Sequence, residues 1–522
     1  MGARSHRGRP GPSAARRRSR PGPAPGRRGE LQSGPGANPA APAALRSLTT
    51  MDRIDPDRLA DALRVIAEVE PLPDDHPDAV AVRRAVARLF KAVKEQRRAQ
   101  RRSAIRAHDD AVTAATATGA PDRIDDETQG LALTSRVAGE RAGTLRRARS
   151  CYVCKQRYVD VDAFHHQLCP PCAARNHERR TARTDLTGRR ALLTGGRAKI
   201  GMYIALRLLR DGAHTTITTR FPDDAVRRFA AMDDSGEWLH RLRIVGLDLR
   251  DPGQVIALAD DVAARGPLDI LINNAAQTVR RSPEAYAHLV AAAQAPLPGG
   301  PLPELVTLGR RGPADGTQQP GGHWAPTPQA LAALALTSGS ASPARVAAGT
   351  AIDAGGLAPD LDPHNSWSQV LGEVDPVELL EVQLCNQTAP FILVSRLRPA
   401  LAASPARRTY VVNVSAMEGQ FGRGYKGPGH PHTNMAKAAL NMLTRTSASE
   451  LLSDGILMTS VDTGWITDER PHPTRMRLAG EGFHAPLDLI DGAARVYDPI
   501  VRGEAGEDLH GVFLKDYEPA AW

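Results

Sequence analysis

The stretch "RALLTGGRAKIGMYIALRLLRDGA", residues 190–213, constrains this chain more than any other: a short apolar run, a glycine-rich turn and an amphipathic helix follow one another without interruption. A strand that is apolar throughout needs cover on both faces, which helices on either side of a parallel sheet provide. The rhythm recurs, with parallel strands expected at 190–195, 214–219, 242–249, 269–275, 408–415 and 456–464. Short apolar strands alternating with helices predict an α/β, doubly wound sheet of the Rossmann type.

Within the first unit, Gly195 permits a tight turn, and Gly201 lets the helix N-terminus, with its free N–H groups and favourable dipole, come close to a pyrophosphate. Thr194, Arg197 and Ile200 complete that turn. At the end of the second strand, where an NAD enzyme places an acid on the adenosine ribose, this chain has Thr219 and Arg220. An acid repels a 2′-phosphate and an arginine pairs with it, so the expected coenzyme is NADP. Arg197 can point toward the same phosphate.

The third strand ends in Asp248-Leu249 and the fourth in "LINNAA", which contains Asn274 and Ala275. With the glycine turn, these motifs over roughly residues 185–522 resemble the short-chain dehydrogenase/reductase family. The resemblance implies that Asp248 holds the adenine edge, that the Asn-Asn-Ala run steadies the central strand, and that Asn386 in "LCNQTAPF" joins a proton relay. It also implies that "VDTGWIT" is the turn beside the nicotinamide, with Gly464 in the turn and Thr467 on the carboxamide, although Thr463 stands where the family has proline.

Two departures limit the likeness. Counting back from Gly419, the position of the family's catalytic serine is Ala416, and Ser415 is one place off; neighbours on a strand point to opposite faces, so it is no automatic substitute. The family's Tyr-x-x-x-Lys reads Thr433 to Lys437. Their spacing keeps both on one helix face, and Lys437 can still hold ribose hydroxyls, but an aliphatic hydroxyl is a far weaker acid than a phenol. Tyr425, His430 and His432 are the replacements at hand; a site that binds NADP without a proton donor is the other possibility. The catalytic set expected is therefore Asn386, Lys437, Tyr425, Thr433, His432 and Ser415.

Ahead of this domain, "CYVCKQRYVDVDAFHHQLCPPC" carries Cys151, Cys154, Cys169 and Cys172 as two CxxC pairs, enough to close a tetrahedral shell around a structural Zn²⁺. His165, His166 and His177 lie close, and structural roles are expected for them. The expected organisation is a helical region at 52–118, a linker at 119–145, a zinc module at 146–180 and the reductase domain at 185–522. That domain is interrupted at about 285–366 by a Pro/Gly/Ala-rich insertion, because 111 residues between Asn274 and Asn386 exceed one crossover. Val82, Val86, Leu89, Phe90 and Val93 form one apolar stripe, and "KEQRRAQRRSAIR" is a basic helical run.

The net charge of +9 resides in residues 1–50, which hold ten arginines against one glutamate. Such an Arg/Pro/Gly-rich tail is expected to be disordered. It reads as a transit peptide, a nucleic-acid-binding arm or an over-extended start preceding Met51; we favour the last. No run approaches membrane-spanning length, and five cysteines, which cannot all pair and of which four sit as two CxxC pairs, place the chain in a reducing compartment, the cytoplasm by default.

These observations predict an NADP-dependent oxidoreductase acting on a small carbonyl, imine or activated alkene. Self-association is expected from the resemblance. The competing class is a silent NADP-binding sensor or scaffold whose zinc module and basic helices contact protein or nucleic acid, although the folded part has no net positive charge to favour the latter.

Overall fold

The structure is a computed structural model that describes residues 54–123, 133–281, 283–308, 357–358, 362–422 and 426–522. The tail at 1–50, Tyr425 and most of the expected insertion lie outside the described residues. Two compact units are distinguished, residues up to 93 and residues 94–522.

In the first unit, α1 (Pro56–Val69) starts on Asp55, whose carboxylate accepts from the backbone N–H groups of Asp57 (2.8 Å) and Arg58 (3.3 Å). Such a cap satisfies donors that the first turn leaves open. The long α2 (Pro77–Ala114) follows, its residues from 94 on belonging to the second unit. Apolar residues recur at helical spacing on both helices, and Leu63, Leu89 and Phe90 are exposed.

The second unit begins with an antiparallel hairpin, β1 (Arg141–Ser150) and β2 (Arg157–Asp162), followed by α3 (Pro170–Thr181). β1 starts inside the stretch expected to be linker, since backbone pairing extends the module well before its first cysteine. The nine-stranded sheet then runs β11-β10-β9-β8-β6-β3-β4-β5-β7. Its six expected strands are β3 (Arg190–Leu193), β4 (His214–Thr219), β5 (Leu242–Gly246), β6 (Ile270–Asn273), β8 (Thr409–Ser415) and β9 (Ile456–Asp462). β7 (Glu304–Thr307) adds a parallel edge strand from within the insertion, and β10 (Phe513–Lys515) with β11 (Glu518–Ala520) closes the other edge as a hairpin. All pairings but β10–β11 are parallel.

Helices cover both faces. On one, α4 (Lys199–Arg210), α5 (Pro222–Ala230) and α10 (Leu489–Glu504) bury Ile204, Leu208, Phe229 and Ile500 against the sheet. On the other lie α6 (Pro252–Ala264), α7 (Pro376–Gln383), α8 (Ala389–Ala402) and α9 (Pro431–Leu452), where Leu258, Leu393 and Leu451 are buried. Each such side chain contributes about 1.5–3 kcal/mol on leaving water. Strand order reverses between β3 and β6, and a doubly wound sheet opens a crevice at the carboxyl ends of its strands there.

Candidate active site

That crevice is a cavity of about 1110 Å³. The turn after β3 forms its floor. Gly195 has φ +72°, a conformation that glycine adopts without strain, and a Cβ there would lie 3.0 Å from Ala275 Cα. A Cβ on Gly201 would meet the Gly195 carbonyl oxygen at 2.0 Å, so backbone packs directly on backbone. Asn274 holds the turn in place, its Nδ2 donating to the carbonyls of Thr194 (3.0 Å) and Gly195 (3.1 Å). Thr194 Oγ1 in return accepts from the amides of Asn274 and Ala275, both at 3.0 Å. Thr194 is thus buried behind the cavity wall, while Gly195, Ile200, Gly201, Asn274 and Ala275 line it.

At the end of β4 the wall is cationic. Arg197 pairs with Asp224 on α5 at 2.5 Å, and Arg220 lies over the rings of Tyr286 and Phe221 at 5.0 and 5.6 Å. Thr219 Oγ1 accepts from the Phe221 amide (3.0 Å). Asp248 and Leu249 line the next segment, and the Asp248 carboxylate is gripped by Arg250, with Nη2 at 2.6 Å. Burial pushes that carboxyl's pKa up, but Arg250 and then Arg220 outweigh it and hold it below the ordinary range.

At the other end, Lys437 on α9 donates from Nζ to the Val414 carbonyl (2.7 Å). Its burial pushes the ammonium down to about 8. Gly464 and Thr467 lie on the loop after β9; Gly464 N donates to Asp462 (2.9 Å) and Thr467 Oγ1 to Glu469 (3.1 Å). Lys199 on the glycine turn reaches across to the same Glu469 at 3.9 Å.

The expected catalytic residues divide. Ser415 lines the cavity, yet its hydroxyl donates to Asn441 Oδ1 at 2.6 Å. Asn386 occupies a π-turn, residues 384–388, and spends its amide on Gln277, accepting from its N–H (2.7 Å) and donating to its carbonyl (3.0 Å). π-turns within helices often accompany functional sites. Thr433 and His432 are absent from the cavity lining: both are buried, the threonine hydroxyl has no hydrogen-bond partner among the described residues, and His432 Nε2 faces Glu378 at 3.7 Å. A threonine is too short to reach from the helix face to the cavity as a phenol does. His430 does line it, in the left-handed region (φ +43°), stacked on Trp367 at 3.9 Å with Nδ1 donating to the Trp367 carbonyl (3.0 Å).

One lining residue escapes the sequence reading. Glu418 sits on the single turn Met417–Gly419 that packs on α9, where a Cβ on Gly419 would lie 2.7 Å from the Lys437 carbonyl. Burial first, then Asp462, raises its carboxyl pKa against the pull of its own backbone N–H and of Lys426 and Lys437. The available signal was an acid two places beyond the family's serine position.

In the cysteine module the four Sγ atoms lie within 4.8 Å of one another. Cys154 and Cys169 are 3.5 Å apart, and the Cys169 amide donates to Cys151 Sγ (3.3 Å). The nearby histidines have other partners: His165 lies between Asp162 (3.4 Å) and Asp491 (3.0 Å), His177 pairs with Asp162 (3.1 Å), and His166 meets Thr118 Oγ1 at 2.8 Å.

Comparison with known proteins agrees with this geometry. A family model described as short chain dehydrogenase matches residues 189–291. An uncharacterized protein of Acanthamoeba polyphaga mimivirus is 30% identical over 364 residues, covering 67% of this chain and 71% of the viral protein. The chain belongs to the short-chain dehydrogenase/reductase family. A probable oxidoreductase of Streptomyces antibioticus is 44% identical over 94 residues, 17% of this chain and 30% of that relative. Among solved structures, NADPH-bound carbonyl reductase from chicken fatty liver aligns with 66% of this chain and 98% of its own, at 18% identity and a TM-score of 0.40, too distant a likeness to transfer any residue's role. Family membership makes an oxidoreductase of this short-chain type. Among the described residues no helix is long and apolar enough to cross a membrane.

Proposed function

We propose that this short-chain dehydrogenase/reductase is NADP-dependent and moves hydride to or from a carbonyl, imine or activated alkene of a small molecule. The observation that carries the reading is one cavity joining the Gly195–Gly201 turn, Arg197, Arg220 and Lys437. The residues fit the coenzyme: α4 opens onto the cavity with no side-chain cap among the described residues, an end suited to a pyrophosphate, and the Arg197 and Arg220 guanidinium groups on the lining would pair with a 2′-phosphate. When bound, the coenzyme supplies or accepts hydride at the nicotinamide C4.

The chain's own residues do the rest. Lys437, with one proton committed to Val414, has others for ribose hydroxyls. Glu418 is the proton donor best supported by the geometry: a half-buried carboxyl on the cavity wall, on a turn packed against the Lys437 backbone, with a pKa raised first by burial, holds its proton to higher pH than an ordinary one. As hydride reaches the substrate carbon, this carboxyl gives its proton to the oxygen or nitrogen. The resulting carboxylate faces Lys426 and Lys437 until solvent restores the proton. Asn386, Ser415, Thr433 and His432 act as positioning residues. Gln277 and Arg280, both directed to Glu381, form the substrate mouth. Four sulfurs within bonding reach of one centre fit a structural Zn²⁺.

The sensor reading keeps one observation in its favour, the sealed hydroxyl of Thr433 in the tyrosine position. To separate the two, the full chain is assayed with NADPH and a panel of aldehydes, ketones and imines, following the reduced coenzyme's absorbance. Turnover lost in Glu418→Gln and kept in Tyr425→Phe supports the assignment, and the opposite pattern moves the donor to Tyr425. Tight NADPH binding with no turnover favours the sensor; no NADPH binding overturns both.

A further inference from the structure

Tyr152 stands between Cys151 and Cys154 in the first CxxC turn, and its backbone N–H donates to the Gln167 carbonyl (2.8 Å), just ahead of the second pair. Its hydroxyl oxygen accepts from the backbone N–H of Trp465 at 2.9 Å. Trp465 belongs to the loop after β9, and residues 463–467 of that loop line the coenzyme cavity. Next to it Gly464 takes φ +76°, with room for a Cβ closed by Leu487 Cδ1 at 2.6 Å.

Apolar contacts tie the same loop to the sulfurs. Cys151, Leu168 and Cys169 share one buried cluster with Leu487, and Ile466 packs against it. The segment that carries Leu487 is held from the module's side too. Arg123 donates to the carbonyls of Ala485 (2.8 Å) and Leu487 (2.7 Å), and Arg180 pairs with Asp488 and Asp491 at 2.5 and 3.0 Å. The loop is therefore clamped between the cysteine turns on one side and the cavity on the other. Moving the first CxxC turn displaces the Tyr152 hydroxyl, the one acceptor of the Trp465 N–H among the described residues.

From this arrangement we infer that the four-cysteine centre, acting through the Tyr152 hydroxyl, sets the conformation of residues 463–467 and thereby the affinity of the cavity for the coenzyme. Metal loading and coenzyme binding are then coupled, and such coupling is reciprocal: whatever factor the metal gives to coenzyme affinity, the coenzyme gives back to metal affinity. Tyr152 is a positioning residue in this scheme, and the inference rests on the NADP reading above.

The test uses the full zinc-loaded chain and Tyr152→Phe, which keeps the ring and removes only the hydroxyl. Hydrogen exchange of the 463–467 amides is read first, because it needs no coenzyme. Exchange at Trp465 is expected to rise by about fivefold in the variant, the effect of one lost buried hydrogen bond, and to rise further on zinc removal. NADPH affinity by calorimetry should fall by a similar factor with zinc content unchanged. For the wild type, NADPH should slow zinc transfer to a chromogenic chelator. Unchanged exchange at Trp465 overturns the inference whatever the coenzyme does, as does unaltered NADPH affinity in the variant or zinc release indifferent to NADPH. Wild-type protein that fails to bind NADPH while exchange responds to Tyr152→Phe overturns the coenzyme reading and, with it, the link to affinity.

Discussion

Replacing Arg197 by alanine is the sharpest probe of coenzyme choice. Its guanidinium is held between Asp224, 2.5 Å away, and the Phe221 ring, 5.4 Å from Cζ, and both partners of the ion pair are largely buried. Two losses follow. A charge-assisted hydrogen bond to a 2′-phosphate is worth about 1.5–3 kcal/mol. The substitution also uncovers Asp224, which keeps its pairing with Arg228 at 2.7 Å. A carboxylate about 8 Å from a phosphate charge, at an effective dielectric of about 20, repels it by roughly 2 kcal/mol before salt screening. Taken together, NADPH should weaken by about a hundredfold, since each 1.4 kcal/mol is a factor of ten. NADH has no 2′-phosphate and should change by less than about threefold. Removing the uncovered acid as well, in Arg197→Ala/Asp224→Ala, should recover roughly tenfold for NADPH and nothing for NADH. Calorimetric titration of the three proteins with both coenzymes measures this. If both coenzymes weaken by the same factor, Arg197 supports the turn mechanically and the phosphate argument is wrong.

Gly201→Ala puts a methyl 2.0 Å from the Gly195 carbonyl, a backbone atom that cannot rotate away; coenzyme binding should be lost and thermal unfolding should show a cost of about 1–3 kcal/mol. Reductive turnover of the wild type should fall as pH rises through the raised pKa of Glu418, any residual turnover of Glu418→Gln should lack that limb, and NADPH binding by both proteins should keep the limb from Lys437 near pH 8. Cys154→Ser or a strong chelator should release zinc and loosen residues 141–181, read as a lost low-temperature transition in calorimetry. Asp491→Asn breaks a buried network: burial pushes that carboxyl up, but His165, then Arg180 and Arg495, hold it far below the usual range, so its stabilisation is present above the ordinary carboxylate pKa and fades as pH falls toward the depressed one. The imidazole of His165 has the opposite sign, burial lowering it and Asp491 and Asp162 raising it, so its share is full below about 6.5 and fades as pH rises through the raised value. Denaturant titrations should give a loss of about 3–5 kcal/mol near pH 6 that shrinks in acid; equal loss at all pH values would refute the ion-pair account.

Much of the fold is legible because burial on both faces writes itself into sequence. "ALLTG" and "YVVNVS" are apolar runs that only a covered strand tolerates, and the structure pairs them through β6 at the centre of the sheet. By contrast β7, Glu304–Thr307, has three exposed positions of four and among the described residues pairs with β5 alone, so its residues carry no such imprint amid Pro and Gly. The hairpin of β10 and β11 is three residues a side, too short for a period of two to show. Edge strands inform on themselves weakly because their register comes from one neighbour.

The site divides along the same physical line. Glycine positions were legible because no Cβ fits at Gly201, and the cysteines because metal geometry fixes spacing within a single tight turn. What sequence could not supply was the direction of a side chain or the target of a module. Ser415 lies on the cavity wall but turns its hydroxyl into α9, and Thr433 stays on the expected helix face yet ends short of the cavity. Glu418 becomes an acid of interest only once its turn is pressed onto α9. Tyr152 and Trp465 meet across 313 positions of chain, and nothing local in either segment encodes that contact. A local rule reads what one turn or one strand must do; a proton donor and a brace are defined by which two distant elements share a few ångströms, so they surface only when the packing is known.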